Sequence, residues 1–159
     1  IGDSGAWAAW LLMATLAVTP IRLAFRRNPI AQYLMRKRRD LGVASFAYAA
    51  GHTIIYLWRK ADLAIIWDEA STPYILAGWG ALALFVPLAV TSNDASTRML
   101  KRSWKRLHRL VYPAAVLVFV HWALSAFDPT TAIINIAIVA AIEIVRVWLQ
   151  RRQRKSVRA

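Results

Sequence analysis

The sequence predicts an all-α protein, a polytopic transmembrane helical bundle with five visible helices. Hydrophobic residues make up 58% of the 159 residues, and they occur in long runs separated by short basic clusters. Most of the 21 Lys and Arg residues, against only 8 Asp and Glu, belong to these clusters. A net charge of +13 is common in nucleic-acid-binding proteins, but this segregation favours a chain in contact with membrane lipid and no nucleic acid.

Five stretches have the roughly 17–25 mostly apolar residues that a spanning helix requires. Trp and Tyr residues collect near their ends, where amphipathic rings favour the membrane interface. Because the chain begins with Ile rather than Met, we expect a longer N-terminus in the natural protein. The predicted spans are residues 6–24, 41–58, 74–92, 107–127 and 131–149.

The connections between these spans predict the orientation. Residues 22–40 carry seven Lys and Arg, and residues 93–109 carry six, whereas residues 59–73 carry more acidic than basic side chains. Since cytoplasmic loops collect Lys and Arg, the C-terminus is predicted to lie in the cytoplasm. We expect residues 1–150 to form one membrane domain and residues 151–159 a basic cytoplasmic tail against anionic lipid headgroups.

Two histidines lie at the same depth in the predicted bundle. His52 precedes the end of the second span by six residues, and His121 precedes the end of the fourth by six. At 1.5 Å of rise per residue, each imidazole lies about 9 Å below the outer surface. One imidazole from each of two flanking helices is what a bis-histidine heme requires. The spacing therefore predicts His52 and His121 as axial ligands of a heme.

A second heme is an open alternative nearer the cytoplasm. His108 precedes His121 by thirteen residues, or about 20 Å of helix. Counting fourteen residues back from His52 gives Arg38 on the second helix, where no histidine is present. An inner heme iron could have Arg38 as an unusual partner of His108, could be five-coordinate, or could be absent.

Each candidate also has a simpler interpretation. A lone histidine in a bilayer can serve as a hydrogen-bond partner between helices. Arg38 can be a plain cytoplasmic charge, because a guanidinium has no readily available lone pair. Arg106 and Arg109, beside His108, are either lipid anchors or binding partners of heme propionates, and the sequence does not separate these two roles.

The absence of cysteine limits the redox chemistry. It excludes disulfides, cysteine-ligated iron–sulfur clusters and thiolate heme ligation. It also excludes heme attached through a CxxCH motif, so a heme in this chain would not be c-type.

Several motifs agree with this prediction. They are RRDLG at 38–42, GH at 51–52, YLW at 56–58, LAVTSND at 88–94, WKRLHRLVY at 104–112, and His121. The first three resemble the second motif of the ferric-reductase-like transmembrane domain superfamily. The others are more specific and resemble the MsrQ (YedZ) family, the heme-binding membrane subunits of the bacterial protein-methionine-sulfoxide reductase system MsrPQ.

The resemblance implies an electron-transfer subunit in the bacterial inner membrane, with no substrate-converting site of its own. Its electrons would come from the quinone pool or a cytoplasmic flavin reductase. They would pass to a periplasmic molybdopterin methionine sulfoxide reductase that supports repair of oxidised proteins. One or two hemes b and FMN are the implied cofactors, and the family's heme histidines fall on His52, His108 and His121. Family members usually have an earlier helix, so six helices are expected in the natural protein.

Two other functions remain open. A ferric or cupric reductase, or an NADPH-oxidase-like heme protein, normally carries a large cytoplasmic flavin and nicotinamide domain, for which residues 151–159 are too short. A non-redox bundle whose histidines relay protons would need acidic groups near the midplane. Glu143 is the one candidate, and Arg146, three residues later, is predicted to pair with it.

Overall fold

The computed structural model describes residues 2–125 and 129–156, which form helices and no strand. Five helical stretches are long and apolar enough to cross a membrane, which confirms the predicted fold class. The predicted end of the fourth span at 126–127 and the last residues of the tail, 157–159, lie outside the described residues. The helices are α1 (Gly2–Ala24), α2 (Pro29–Lys60), α3 (Leu63–Glu69), α4 (Pro73–Val90), α5 (Asp94–Leu107), α6 (Val111–Ser125) and α7 (Pro129–Ser156), with a 3₁₀ turn at His108–Leu110.

Helix α2 begins twelve residues before the predicted span, so the prediction of a long basic loop at 22–40 is wrong. The Asn28 side chain accepts hydrogen bonds from the backbone N–H groups of Ile30 and Ala31, at 2.8 and 3.3 Å. Pro29 follows at the first helical position, where its missing N–H has no cost. The 32 residues of α2 extend about 48 Å, well beyond a hydrocarbon core of about 30 Å.

The second predicted basic loop, residues 93–109, is also helical. The Asn93 side chain accepts a hydrogen bond from the Ser96 backbone N–H at 2.7 Å and begins α5. Lys101 has a positive φ of 47° and divides α5 into two parts. The Trp104 indole N–H donates to the Thr91 carbonyl at 2.9 Å, which holds α5 against the end of α4.

Residues 151–156, predicted as part of the tail, continue α7 as regular helix. The Gln153 side chain donates to the Leu23 carbonyl of α1 at 3.2 Å. Nearer the N-terminus of α7, Glu143 and Arg146 form the predicted ion pair at 2.6 Å. Arg146 also contacts the Tyr112 hydroxyl, and its guanidinium lies 4.4 Å from the centre of the Tyr112 ring.

The core lies where α1, α4 and α6 meet. It combines large side chains from α1 and α4 with small ones from α6, so α6 approaches its neighbours closely. Helix α1 also packs along α2 and α7. The core residues are Leu12, Leu16, Phe85, Leu88, Ala114 and Ala115.

Close contact between α1 and α2 depends on a small residue. Ser45 is 1% exposed, and its hydroxyl donates to the Ala8 carbonyl at 2.8 Å. We expect Ser45→Leu to lower the free energy of unfolding by about 1–3 kcal/mol, because the added volume separates the helices. Tryptophan fluorescence during thermal unfolding in detergent would measure this, with Val43→Leu, at a 38% exposed position of α2, as control. Equal unfolding midpoints for the two variants would contradict the prediction.

Candidate heme site

His52 on α2 and His121 on α6 face each other. Their ring centres are 6.2 Å apart and their ring planes are inclined at 81°. Both line a cavity of about 530 Å³ among α1, α2, α4 and α6, which we call the histidine cavity. The sequence prediction that these two side chains share one level is confirmed.

The separation of the rings fits one metal between them. Transition metals bind imidazole nitrogens at a distance of about 2.0 Å. Two imidazoles on opposite sides of one such ion therefore have ring centres about 6 Å apart. In residues 2–125 and 129–156, no cluster of three or more His, Cys, Asp or Glu side chains could hold a metal ion. Two imidazoles alone would leave coordination positions of a metal open to a cofactor such as a porphyrin, and the cavity has the size of a cofactor pocket.

Hydrogen bonds orient both imidazoles. His121 Nδ1 lies 2.6 Å from the Tyr74 carbonyl oxygen, which can only accept, so Nδ1 carries the proton. In the neutral ring, Nε2 then keeps a lone pair for a metal, as is usual for metal-binding histidines. His52 Nδ1 lies 3.2 Å from the Ser4 hydroxyl, which can donate or accept.

Two glycines make room for the imidazoles. A Cβ on Gly5 of α1 would lie 3.1 Å from His52 Cε1, and a Cβ on Gly78 of α4 would lie 2.9 Å from His121 Nδ1. Each histidine therefore packs directly against the backbone of a neighbouring helix. Neither glycine was predicted from the sequence, because a helical glycine carries no sign of what it packs against.

A cluster of three polar side chains borders the histidine cavity near the C-terminal end of α2. Lys60 Nζ lies 2.5 Å from Glu69 Oε1, and the Tyr56 hydroxyl donates to Glu69 Oε2 at 3.2 Å. The hydrogen bond from Lys60 lowers the pKa of the Glu69 carboxyl below its usual value, so this carboxyl is ionised at neutral pH. The other side chains that line the cavity are mostly apolar.

The predicted inner pair, Arg38 and His108, lines a second cavity of about 530 Å³, which we call the arginine cavity. The Trp104 ring stacks on His108 with 3.9 Å between centres. His108 Nε2 lies 3.1 Å from the Thr91 hydroxyl, and Arg38 Nε donates to the Thr15 carbonyl at 3.1 Å. The prediction that Arg38 and His108 share one level is confirmed, but the two side chains have protein partners.

The cations of the arginine cavity differ from those expected. Arg106 and Arg109 are exposed and are not among the described residues that line either cavity. Arg36 and Arg39 of α2 line the arginine cavity beside Arg38. The sequence argument relied on closeness to His108 along the chain, whereas the α2 helix brings a different basic cluster to this level.

Comparisons with known proteins agree with this geometry. Residues 4–119 match the family of ferric reductase like transmembrane components; the match includes His52 and His108 and ends two residues before His121. An MsrQ protein of Xanthomonas campestris pv. campestris is 38% identical in an alignment that covers 96% of this chain and 70% of the relative. The Brucella ovis MsrQ is 41% identical over 94% of this chain and 69% of the relative.

This chain belongs to the MsrQ family of ferric reductase-like membrane proteins. The MsrQ of Rhizobium meliloti is 44% identical over 76% of this chain and 55% of the relative. Each of these relatives is described as the heme-binding subunit of a protein-methionine-sulfoxide reductase. No solved structure matches the chain.

In this MsrQ family member, Gly78→Ala tests the packing of the histidine cavity. The added methyl group would displace the His121 ring and break its hydrogen bond to the Tyr74 carbonyl. Loss of such a supporting contact typically weakens metal binding about 10–100-fold, so we expect heme affinity to fall within that range. Heme per protein after expression at limiting heme would measure the loss.

The matched control is Gly51→Ala, beside His52, where an added Cβ would meet nothing within 4 Å. We expect this variant to retain heme like the wild type. The prediction fails if the Gly78→Ala and Gly51→Ala proteins retain equal amounts.

Proposed function

We propose that this chain is a transmembrane b-type cytochrome, the heme-binding subunit of a protein-methionine-sulfoxide reductase system. The observation that carries the proposal is the His52–His121 pair, with ring centres 6.2 Å apart across a cavity of cofactor size. The relatives' description as heme-binding subunits supports it. So does the protonated Nδ1 of His121, since it leaves Nε2 to bind iron.

The residues of the histidine cavity have distinct tasks. His52 and His121 would hold the heme, which accepts and releases one electron when bound. The Tyr74 carbonyl and the Ser4 hydroxyl orient the imidazoles. The mostly apolar walls would give a heme held there a low-dielectric surround.

The charge distribution supports an orientation. The basic side chains of α2 around residues 36–39, those of α5 and those at the end of α7 belong to the cytoplasmic side by the positive-inside rule. Asp62, Asp68 and Glu69, around α3, then belong to the periplasmic side. The histidine cavity is thus nearer the periplasm, and the C-terminus lies in the cytoplasm of a bacterium with this protein in its inner membrane. Residues 1–150 are the membrane domain, and residues 151–159 are its basic cytoplasmic end.

Electron transfer would run from the cytoplasmic side to the periplasm. The donor is the quinone pool or a cytoplasmic flavin reductase, and the acceptor is a periplasmic molybdopterin methionine sulfoxide reductase that repairs oxidised proteins. The arginine cavity is the place for a second anionic cofactor, either an inner heme or FMN, because Arg36 and Arg38 suit propionate or phosphate groups. An inner heme bound through Nε2 of His108 would have to displace the Thr91 hydroxyl.

A ferric or cupric reductase, or an NADPH-oxidase-like protein, is the second candidate. The match of residues 4–119 to the ferric reductase like family favours it. The proton-relay bundle has weaker support, because Glu143 is paired with Arg146.

Spectroscopy of histidine variants tests the heme ligands. We expect a b-type spectrum in the dithionite-reduced minus oxidised difference of the detergent-purified protein, largely lost in His52→Ala and in His121→Ala. His108→Ala is the matched control and should keep the histidine-cavity heme, counted as pyridine hemochromogen. A stoichiometry above one that falls to one in His108→Ala would place the second heme in the arginine cavity. Full heme retention in both His52→Ala and His121→Ala would refute the proposed ligands.

Oxidation of the reduced heme tests the acceptor. We expect dithionite-reduced protein, freed of excess reductant under nitrogen, to stay reduced when methionine sulfoxide is added alone. It should oxidise at least about tenfold faster once a purified molybdopterin methionine sulfoxide reductase is also present, since only that partner connects heme to substrate. Fast oxidation by ferric citrate, with no effect of the partner, would support the ferric reductase alternative instead.

A further inference from the structure

The border of the histidine cavity carries one permanent cation. Lys60 is the only Lys or Arg among the described residues that line this cavity, whereas three arginines line the arginine cavity. Lys60 lies on α2, eight residues and about 12 Å of helix beyond His52. Its long side chain therefore places an ammonium group at the edge of the space beside the imidazole.

A carboxylate of the protein is already paired with that ammonium group. Glu69, the last residue of α3, accepts from Lys60 at 2.5 Å and from the Tyr56 hydroxyl at 3.2 Å. Lys60 and Tyr56 both line the histidine cavity, whereas Glu69 is not among its lining residues. The cavity border thus already presents two donors arranged to bind one carboxylate.

We propose that Lys60 and Tyr56 bind a carboxylate of the tetrapyrrole in the histidine cavity, and that Glu69 competes with it for the same two donors. This inference rests on the proposed heme function. A b-type heme carries two propionate carboxylates, and a carboxylate beside an apolar cavity is costly without a counter-charge. Lys60 is the cation that the described part of the cavity offers.

The competition predicts effects of opposite sign for the two partners of one ion pair. Removing the Lys60 charge takes away the counter-charge of the heme carboxylate and should speed heme loss. Removing the Glu69 charge frees Lys60 and Tyr56 for the heme and should slow it. If the pair only ties α2 to α3, both changes would act in the same direction. Its side chains are 36% and 27% exposed, so a purely structural contribution would be small.

Heme release provides the test. Ferric protein in detergent is mixed with excess apomyoglobin, and transfer is followed by absorbance for wild type, Lys60→Gln, Glu69→Gln and Tyr56→Phe. We expect release about fivefold faster for Lys60→Gln, about fivefold slower for Glu69→Gln, and modestly faster for Tyr56→Phe, as partly exposed charged contacts allow. Arg59→Gln is the charge-matched control, since Arg59 is exposed and not among the residues that line the cavity. It should release heme like the wild type.

Release rates that change in the same direction for Lys60→Gln and Glu69→Gln, or that equal the wild-type rate for both, would overturn the inference. If Lys60→Gln does not fold, Lys60→Arg keeps the charge. In that case slower release from Glu69→Gln, with Lys60→Arg close to wild type, supports the inference, and unchanged release from Glu69→Gln overturns it. A folded wild type that binds no heme would overturn the proposed function and this inference together. If heme binds but its release rate does not change in the variants at residues 60 and 69, only the inference is overturned.

Discussion

Each imidazole of the histidine pair packs against a glycine of a neighbouring helix. His52 of α2 lies against Gly5 of α1, and His121 of α6 lies against Gly78 of α4. The same neighbours supply the hydrogen-bond partners, because Ser4 precedes Gly5 and the Tyr74 carbonyl lies one helical turn before Gly78. Each helix pair thus fixes one imidazole in both position and rotation.

The separation of the two imidazoles then follows from how these helix pairs meet. Leu12 of α1 and Phe85 of α4 pack with Ala114 and Ala115 of α6, whose small side chains let the helices approach closely. Phe85 also borders both the histidine and the arginine cavity. The core that sets the 6.2 Å between the rings is therefore also the partition between the two ends of the bundle. In a bilayer such packing matters more than in water, because lipid offers helices no hydrophobic reason to associate.

Much of this arrangement could be predicted from the sequence. Hydropathy identified the five spans, and helical rise placed His52 level with His121 and Arg38 level with His108. Hydropathy failed at residues 29–40 and 94–107, because a basic helix that extends beyond the lipid has the same low hydropathy as a loop. The capping side chains of Asn28 and Asn93 are local signals that could have found both helices.

The parts that could not be predicted depend on contacts between distant segments. The Tyr74 carbonyl is a backbone group, so no residue type marks its contact with His121. The contact between Glu69 and Lys60 depends on how α3 folds back against α2. Arg106 and Arg109 adjoin His108 in sequence, yet Arg36 and Arg39 reach its cavity, because the side chains that meet at one level come from different helices.

Two features of the histidine cavity act in opposite directions on the reduction potential of a heme held there. The hydrogen bond from His121 to the Tyr74 carbonyl makes the imidazole a stronger base, which favours the ferric state. The apolar walls disfavour the positive charge that the ferric centre has and the ferrous centre lacks. A carboxylate bound at Lys60 would have that cation as its counter-charge, which limits its contribution to the ferric state. The potential of a heme held there would therefore depend on the balance of these opposing contributions.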